Sequence, residues 1–145
     1  MQRVLFVDPD HGARSQMAEA LLRNATVLIP GVSGDQYDIA SAGTDPAGSL
    51  DGVADVLREI GLGFEPARRA LVTAVRPPPD LLIVVCEEDC GSCPYVPAAR
   101  RVVRWPQPDP DAVPADERTG VLRHIREDLG LRAAMLVNLG GLPRR

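Results

Sequence analysis

The sequence predicts an α/β fold built on a parallel sheet, and three observations carry that prediction. Strand-like and helix-like stretches alternate along the chain, the pattern of parallel strands joined by crossover helices. Residues 4–23, VLFVDPDHGARSQMAEALLR, run from an apolar strand through a short turn into an amphipathic helix. Residues 81–86, LLIVVC, are apolar at every position, as a strand covered on both faces must be.

In chain order, residues 3–7 read as the first strand and 14–24 as a helix with Ala18, Leu21 and Leu22 on one face. A less regular link, 25–34, leads to a second strand at 37–42, stopped by the turn-rich SAGTDPAG. Residues 50–60 read as a second helix closed by Gly61 and Gly63. The Pro77-Pro78-Pro79 run breaks the chain before the third strand. A short strand at 101–103 precedes the Pro-rich WPQPDPDAVP, and 115–129 reads as the last helix. Residues 135–139 fit helix and strand equally well. A parallel sheet of this kind binds ligands at the carboxyl ends of its strands, which puts the DPDHGARS turn at the expected site.

Composition bounds the function. A chain of 145 residues is expected to fold as one domain spanning 1–145, with no need of metals or disulfides for stability. A net charge of −4 argues against nucleic acid as a partner. All 16 basic residues are Arg, which reads as coding bias more than as phosphate recognition. No apolar run approaches the ~20 residues of a membrane span, and no signal peptide is visible, so a cytoplasmic protein without a membrane partner is expected. Cys86, Cys90 and Cys93 lie within eight residues, an odd clustered set that suggests redox or metal chemistry. A zinc site would lack a fourth ligand at a familiar spacing, so neither a metal nor a cofactor is expected.

Several stretches together resemble the low-molecular-weight protein tyrosine phosphatases, and within them the thioredoxin-coupled arsenate reductases. ARSQMAEALLR, with Arg14 and Ser15, matches the end of that family's C-x5-R-S loop and the helix after it. SAGTDPAG, VLREIGLG, PPPDLLIVVC and RWPQPDPD match further family segments in the same order, between residues 4 and 112. The resemblance implies a three-layer α/β/α domain with a four-stranded parallel sheet. It places the family's general acid on Asp109, after Trp105. It also places the two relay cysteines of the reductase branch, which pass oxidation away from the nucleophile, on Cys86 and Cys93, which could pair as a disulfide or survive as vestiges.

The departure from the family lies at the chemistry. Where the resemblance puts the nucleophilic cysteine, six residues before Arg14, this chain has Asp8, followed by Pro9-Asp10-His11. A carboxylate is a weak nucleophile toward phosphorus and cannot enter a disulfide relay. The chain is therefore expected to work neither as a phosphatase nor as an arsenate reductase. Two functions of different class follow. In one, the old phosphate pocket performs acid/base chemistry (isomerisation, cyclisation or hydrolysis) on a small organic molecule. Asp8, Asp10, His11, Arg14 and Asp109 are then the catalytic group, with Gly12, Ala13, Ser15 and Trp105 binding the substrate. In the other, the protein is a silent pseudo-enzyme serving as a binding or regulatory module, which leaves a protein partner or homo-oligomer open. In an intact loop, backbone N–H groups and Arg14 should depress the Asp8 pKa, against repulsion from Asp10. FVDPD also resembles the opening of haloacid-dehalogenase-type phosphatases, where Asp8 would form an aspartyl phosphate beside a divalent metal. That family's later Lys is absent from this chain, and position 12 is Gly.

Overall fold

In the computed structural model the described residues are 2–28, 36–45, 47–87 and 99–138. Seven elements follow one another: β1 (Gln2–Asp8), α1 (Ala13–Leu28), β2 (Tyr37–Gly43), α2 (Val53–Arg58), β3 (Leu81–Val84), β4 (Arg101–Arg104) and α3 (Arg118–Asn138). The strands form one parallel sheet in the order β2-β1-β3-β4, the α/β fold that the alternating pattern predicts.

Alternation along β1 and β3 divides the core. Val4, Phe6, Leu81 and Ile83 face a large cluster that includes Met17, Leu21 and Leu22 of α1, Val53 and Leu57 of α2, and Leu122, Ile125 and Leu129 of α3. Leu5, Val7, Leu82 and Val84 face the other way and pack with Ala42, Val72 and Cys86. Among the described residues this second face is closed by a 3₁₀ turn at Val72–Ala74 and by Ala70, Val75 and Ala99.

Element ends differ from the sequence reading for physical reasons. Helix α2 is shorter than 50–60, because Leu50–Gly52 turn into it and Gly52 takes φ 83°. Its far end is the glycine stop that was expected: Gly61 has φ 78°, its N–H donates to the Arg58 carbonyl, and Leu62 N–H donates to that of Leu57. Helix α3 starts three residues later than expected, after a 3₁₀ turn at Ala115–Glu117, and continues past Gly130 to Asn138. Gly130 does not end it, because α3 packs along α1 there. A Cβ at that position would stand 3.8 Å from Leu21, so tertiary packing overrides the weak helix propensity of glycine. Residues 135–138 are therefore helical, and 139 lies outside the described residues. The expected link at 25–34 is helical up to Leu28. Strand β3 ends at Val84, two residues early. Among the described residues no helix is long and apolar enough to cross a membrane.

Candidate functional site

The chain leaves β1 for β2 on one side and reaches β3 on the other, so a crevice opens at the carboxyl ends of the two central strands. Asp8, the last residue of β1, stands there. The loop from Pro9 to Gly12 is held from outside by its carbonyl groups. Thr44 and Asp45 N–H donate to the Pro9 carbonyl (3.0 and 2.8 Å), and Gly48 N–H donates to that of Asp10 (2.8 Å). The His11 carbonyl accepts from Gln16 Nε2 (3.1 Å) and from Arg69. In a trans peptide the N–H points opposite to the C=O, so anchoring these carbonyls in the wall turns N–H groups inward. Gly43 allows the close approach this needs: a Cβ there would meet His11 N at 2.5 Å and the Asp8 carbonyl at 2.9 Å.

Asp8 is completely buried. Its Oδ2 accepts from Ser15 N–H at 2.8 Å and its Oδ1 from Gly12 N–H at 3.2 Å. Gly12 N–H is shared, donating also to Asp10 Oδ1 at 3.1 Å, so two carboxyl groups converge on one donor. The depressed pKa expected for Asp8 is not what this environment produces. Burial pushes it up to about 6, with Asp10 adding repulsion, while the Ser15 N–H and the Arg14 charge only partly oppose the rise. Desolvation wins because the carboxyl group has lost all contact with water, and the donors of Ser15 and Gly12 return only part of that solvation. Asp10 is raised as well, by burial first and by Asp111 and Asp109 against the opposing Arg14.

His11 turns into the wall. It takes φ 46°, which lets its side chain cross to β2. The Ala70 N–H donates to Nδ1 at 3.1 Å, which leaves the proton on Nε2. Nε2 then donates to Ser41 Oγ at 2.8 Å, and Ser41 Oγ donates to Glu19 Oε1 at 2.7 Å. Burial and the nearby Arg69 bring the His11 pKa down to about 4, so the ring is neutral and acts as a fixed strut. Ser41, Glu19, Gln16 and Arg69 were missed by the sequence reading. Polar residues in a strand, a helix and an irregular stretch carry no periodic signal that links them to a loop.

Arg14 is 6 % exposed, and its one hydrogen bond among the described residues is long, 3.4 Å from Nη1 to the Gln107 carbonyl. No described carboxylate forms an ion pair with it. Gln107 is itself held to α3, its Nε2 donating to Asp128 Oδ2 at 2.5 Å. Ser15 Oγ is buried without a hydrogen-bond partner among the described residues. The backbone N–H groups of Ala13 and Arg14 likewise donate to no described acceptor. Trp105 packs into the core against Phe6, ring centroids 6.0 Å apart, and so supports β1 from behind.

Asp109 accepts from the Asp111 N–H at 2.9 Å and caps the 3₁₀ turn at Pro110–Ala112. Asp111 pairs with Arg118, which also donates to the carbonyls of Asp51 and Ser49 and ties this segment to the SAGTDPAG side. A cavity of about 440 Å³ lies between, lined by Asp10, Thr44, Asp45, Gly48 and Asp111 among others. The structure thus groups Asp8, Asp10, Gly12, Ala13, Arg14 and Ser15 in one loop, brings Asp109 near enough to repel Asp10, and points His11 away. Among the described residues no cluster suited to hold a metal ion occurs. Cys86, buried after β3, is disulfide-bonded, and Cys90 and Cys93 lie outside the described residues.

Comparison with known proteins agrees with this fold. The family described as low molecular weight phosphotyrosine protein phosphatase matches residues 3–111. An arsenate reductase of Halalkalibacterium halodurans is 25% identical over 140 residues, 94% of this chain and 96% of that one. A solved arsenate reductase from Archaeoglobus fulgidus is 30% identical, with a TM-score of 0.63 over 90% of this chain and 98% of that one. A structure of an arsenate reductase in the phosphate binding state superposes with a TM-score of 0.74 over 96% and 98% of the two chains. At 20% identity that likeness speaks for the fold.

Proposed function

The chain belongs to the low molecular weight phosphotyrosine protein phosphatase family, and from that premise we propose that it is a catalytically silent member. In this reading it is an oxyanion-binding module with Asp8 where the family's nucleophilic cysteine would stand, and the whole chain, 1–145, is one domain. The observation that carries the reading is the state of Asp8: wholly buried, with both oxygens held by N–H groups of its own loop. A side chain so placed is part of the loop's scaffold and has no free face toward a substrate. It also lacks the thiolate that would attack arsenate and pass oxidation on to Cys86 and Cys93. What remains suited to an anion is Arg14, a buried guanidinium with no carboxylate partner among the described residues, together with unclaimed N–H groups at the start of α1.

The test is direct. The purified protein is expected to show no hydrolysis of p-nitrophenyl phosphate and no thioredoxin-coupled reduction of arsenate, while calorimetry detects phosphate binding that Arg14→Ala abolishes. Turnover that disappears in Asp8→Ala would overturn the reading.

One observation favours the acid/base alternative: two carboxyl groups with raised pKa values share one donor, and Asp10 faces the cavity. In that version Asp10 is the proton acceptor and Asp109 the donor across the gap. It requires turnover of a small organic substrate that is lost in Asp10→Asn, a variant in which phosphate binding should persist under the first reading.

A further inference from the structure

We propose that oxyanion binding by this loop is coupled to the uptake of one proton by Asp8, so that the site opens to a fully ionised oxyanion as the pH falls. The inference rests on the oxyanion-binding reading above and adds the regulation of that site. Its geometric basis is a conflict built into the loop. Arg14 forms no ion pair with a described carboxylate, and the N–H groups of Ala13 and Arg14 meet no described acceptor, which suits the loop to a ligand of negative charge. Directly beneath, Asp8 already spends the Gly12 and Ser15 N–H groups on a carboxylate sealed from water. Bringing a second negative charge to the same loop sets two anions close together in a site where solvent screens them poorly. Protonating Asp8 removes the clash. The proton has somewhere to sit, because burial already favours the neutral acid.

The other charged groups near Asp8 do not supply the same response. Arg14 stays charged throughout the accessible range. His11 is held neutral by burial and by Arg69, with both ring nitrogens occupied. Asp10 is the one competing acceptor, itself faced by Asp109 and Asp111, and it meets Asp8 at the shared Gly12 N–H.

Inorganic sulfate is the probe, because it stays a dianion between pH 5 and 8 and brings no titration of its own. Calorimetry from pH 5 to 8 in buffers of different ionisation heat reads both affinity and protons taken up. Linkage of one proton to one anion predicts that affinity weakens about tenfold per pH unit above the Asp8 titration, with uptake approaching one proton per sulfate. Asp10→Asn should keep that slope and Asp8→Asn should flatten it. The proton count on the wild type needs no variant, so misfolding of Asp8→Asn would not rescue the idea. Sulfate binding that is independent of pH, uptake near zero, or a slope retained in Asp8→Asn overturns the coupling. Binding of phosphate without any binding of sulfate across this range also overturns it. Failure of both anions to bind at any pH overturns the oxyanion reading itself.

Discussion

Replacing Asp8 with Asn should change the shape of the stability-against-pH curve, and the structure sets the size of the change. Asp8 is raised from 3.8 to about 6 by burial, a difference worth about 3 kcal/mol. The folded state therefore binds the proton more tightly than the unfolded chain. Its penalty is complete above the folded value and fades as the pH falls from about 6 to below 3.8. Between pH 7.5 and 4.5 the wild type should gain about 2 kcal/mol relative to Asp8→Asn, which cannot titrate there. His11 acts in the opposite sense. Its folded value is lowered to about 4, so its contribution is lost as the pH drops from 6.5 through 4. Both proteins carry His11, so it cancels in the difference. Urea unfolding followed by the fluorescence of Trp105, the single tryptophan, packed on Phe6, gives that difference at each pH. An offset between the two proteins that stays constant across this range would refute the assignment of a buried, proton-avid Asp8.

Other outcomes follow from the same loop. Ser41→Ala leaves the His11 Nε2–H buried without an acceptor and should cost about 2 kcal/mol in urea unfolding. Gly43→Ala would drive a methyl group into the His11 and Asp8 backbone; a loss of about 2 kcal/mol is expected, together with loss of phosphate binding by calorimetry. Leu129→Ala, at a fully buried position of α3 in the main core, should cost about 2–5 kcal/mol while leaving phosphate affinity unchanged. If Asp8 occupies the nucleophile's position, Asp8→Cys should hydrolyse p-nitrophenyl phosphate at least about tenfold faster than the wild type, measured as released nitrophenol.

The central strands β1 and β3 were legible because each buries a run of apolar residues, whereas β4 is mostly exposed. The parallel pairing also followed from the alternation of strands and helices, while the order β2-β1-β3-β4 came from the structure. Gly61 announced the end of α2 through a conformation that other residues avoid, whereas Gly130 failed as a stop because contact with α1 outweighs propensity. At the site, the gathering of Asp8, Asp10 and Arg14 could be read from their place in one turn. The direction of the Asp8 pKa could not, because it depends on how completely the carboxyl group is sealed from water, and burial is a property of the assembled fold. His11 illustrates the same gap. An ionisable residue in a loop looks available in the sequence, yet its backbone twist sends it to Ser41, thirty positions away.

The sheet order also governs how the chain meets the ribosome. Strand β1 emerges first, but one of its two neighbours is β3, about 75 residues downstream. At synthesis rates of about 5–20 residues per second, Leu5, Phe6 and Val7 wait roughly 4–15 s for that edge to be covered. Until then only β2 can pair with them, leaving one flank of an apolar strand open to other nascent chains. Slowing translation between residues 43 and 81 should thus favour aggregation or chaperone capture.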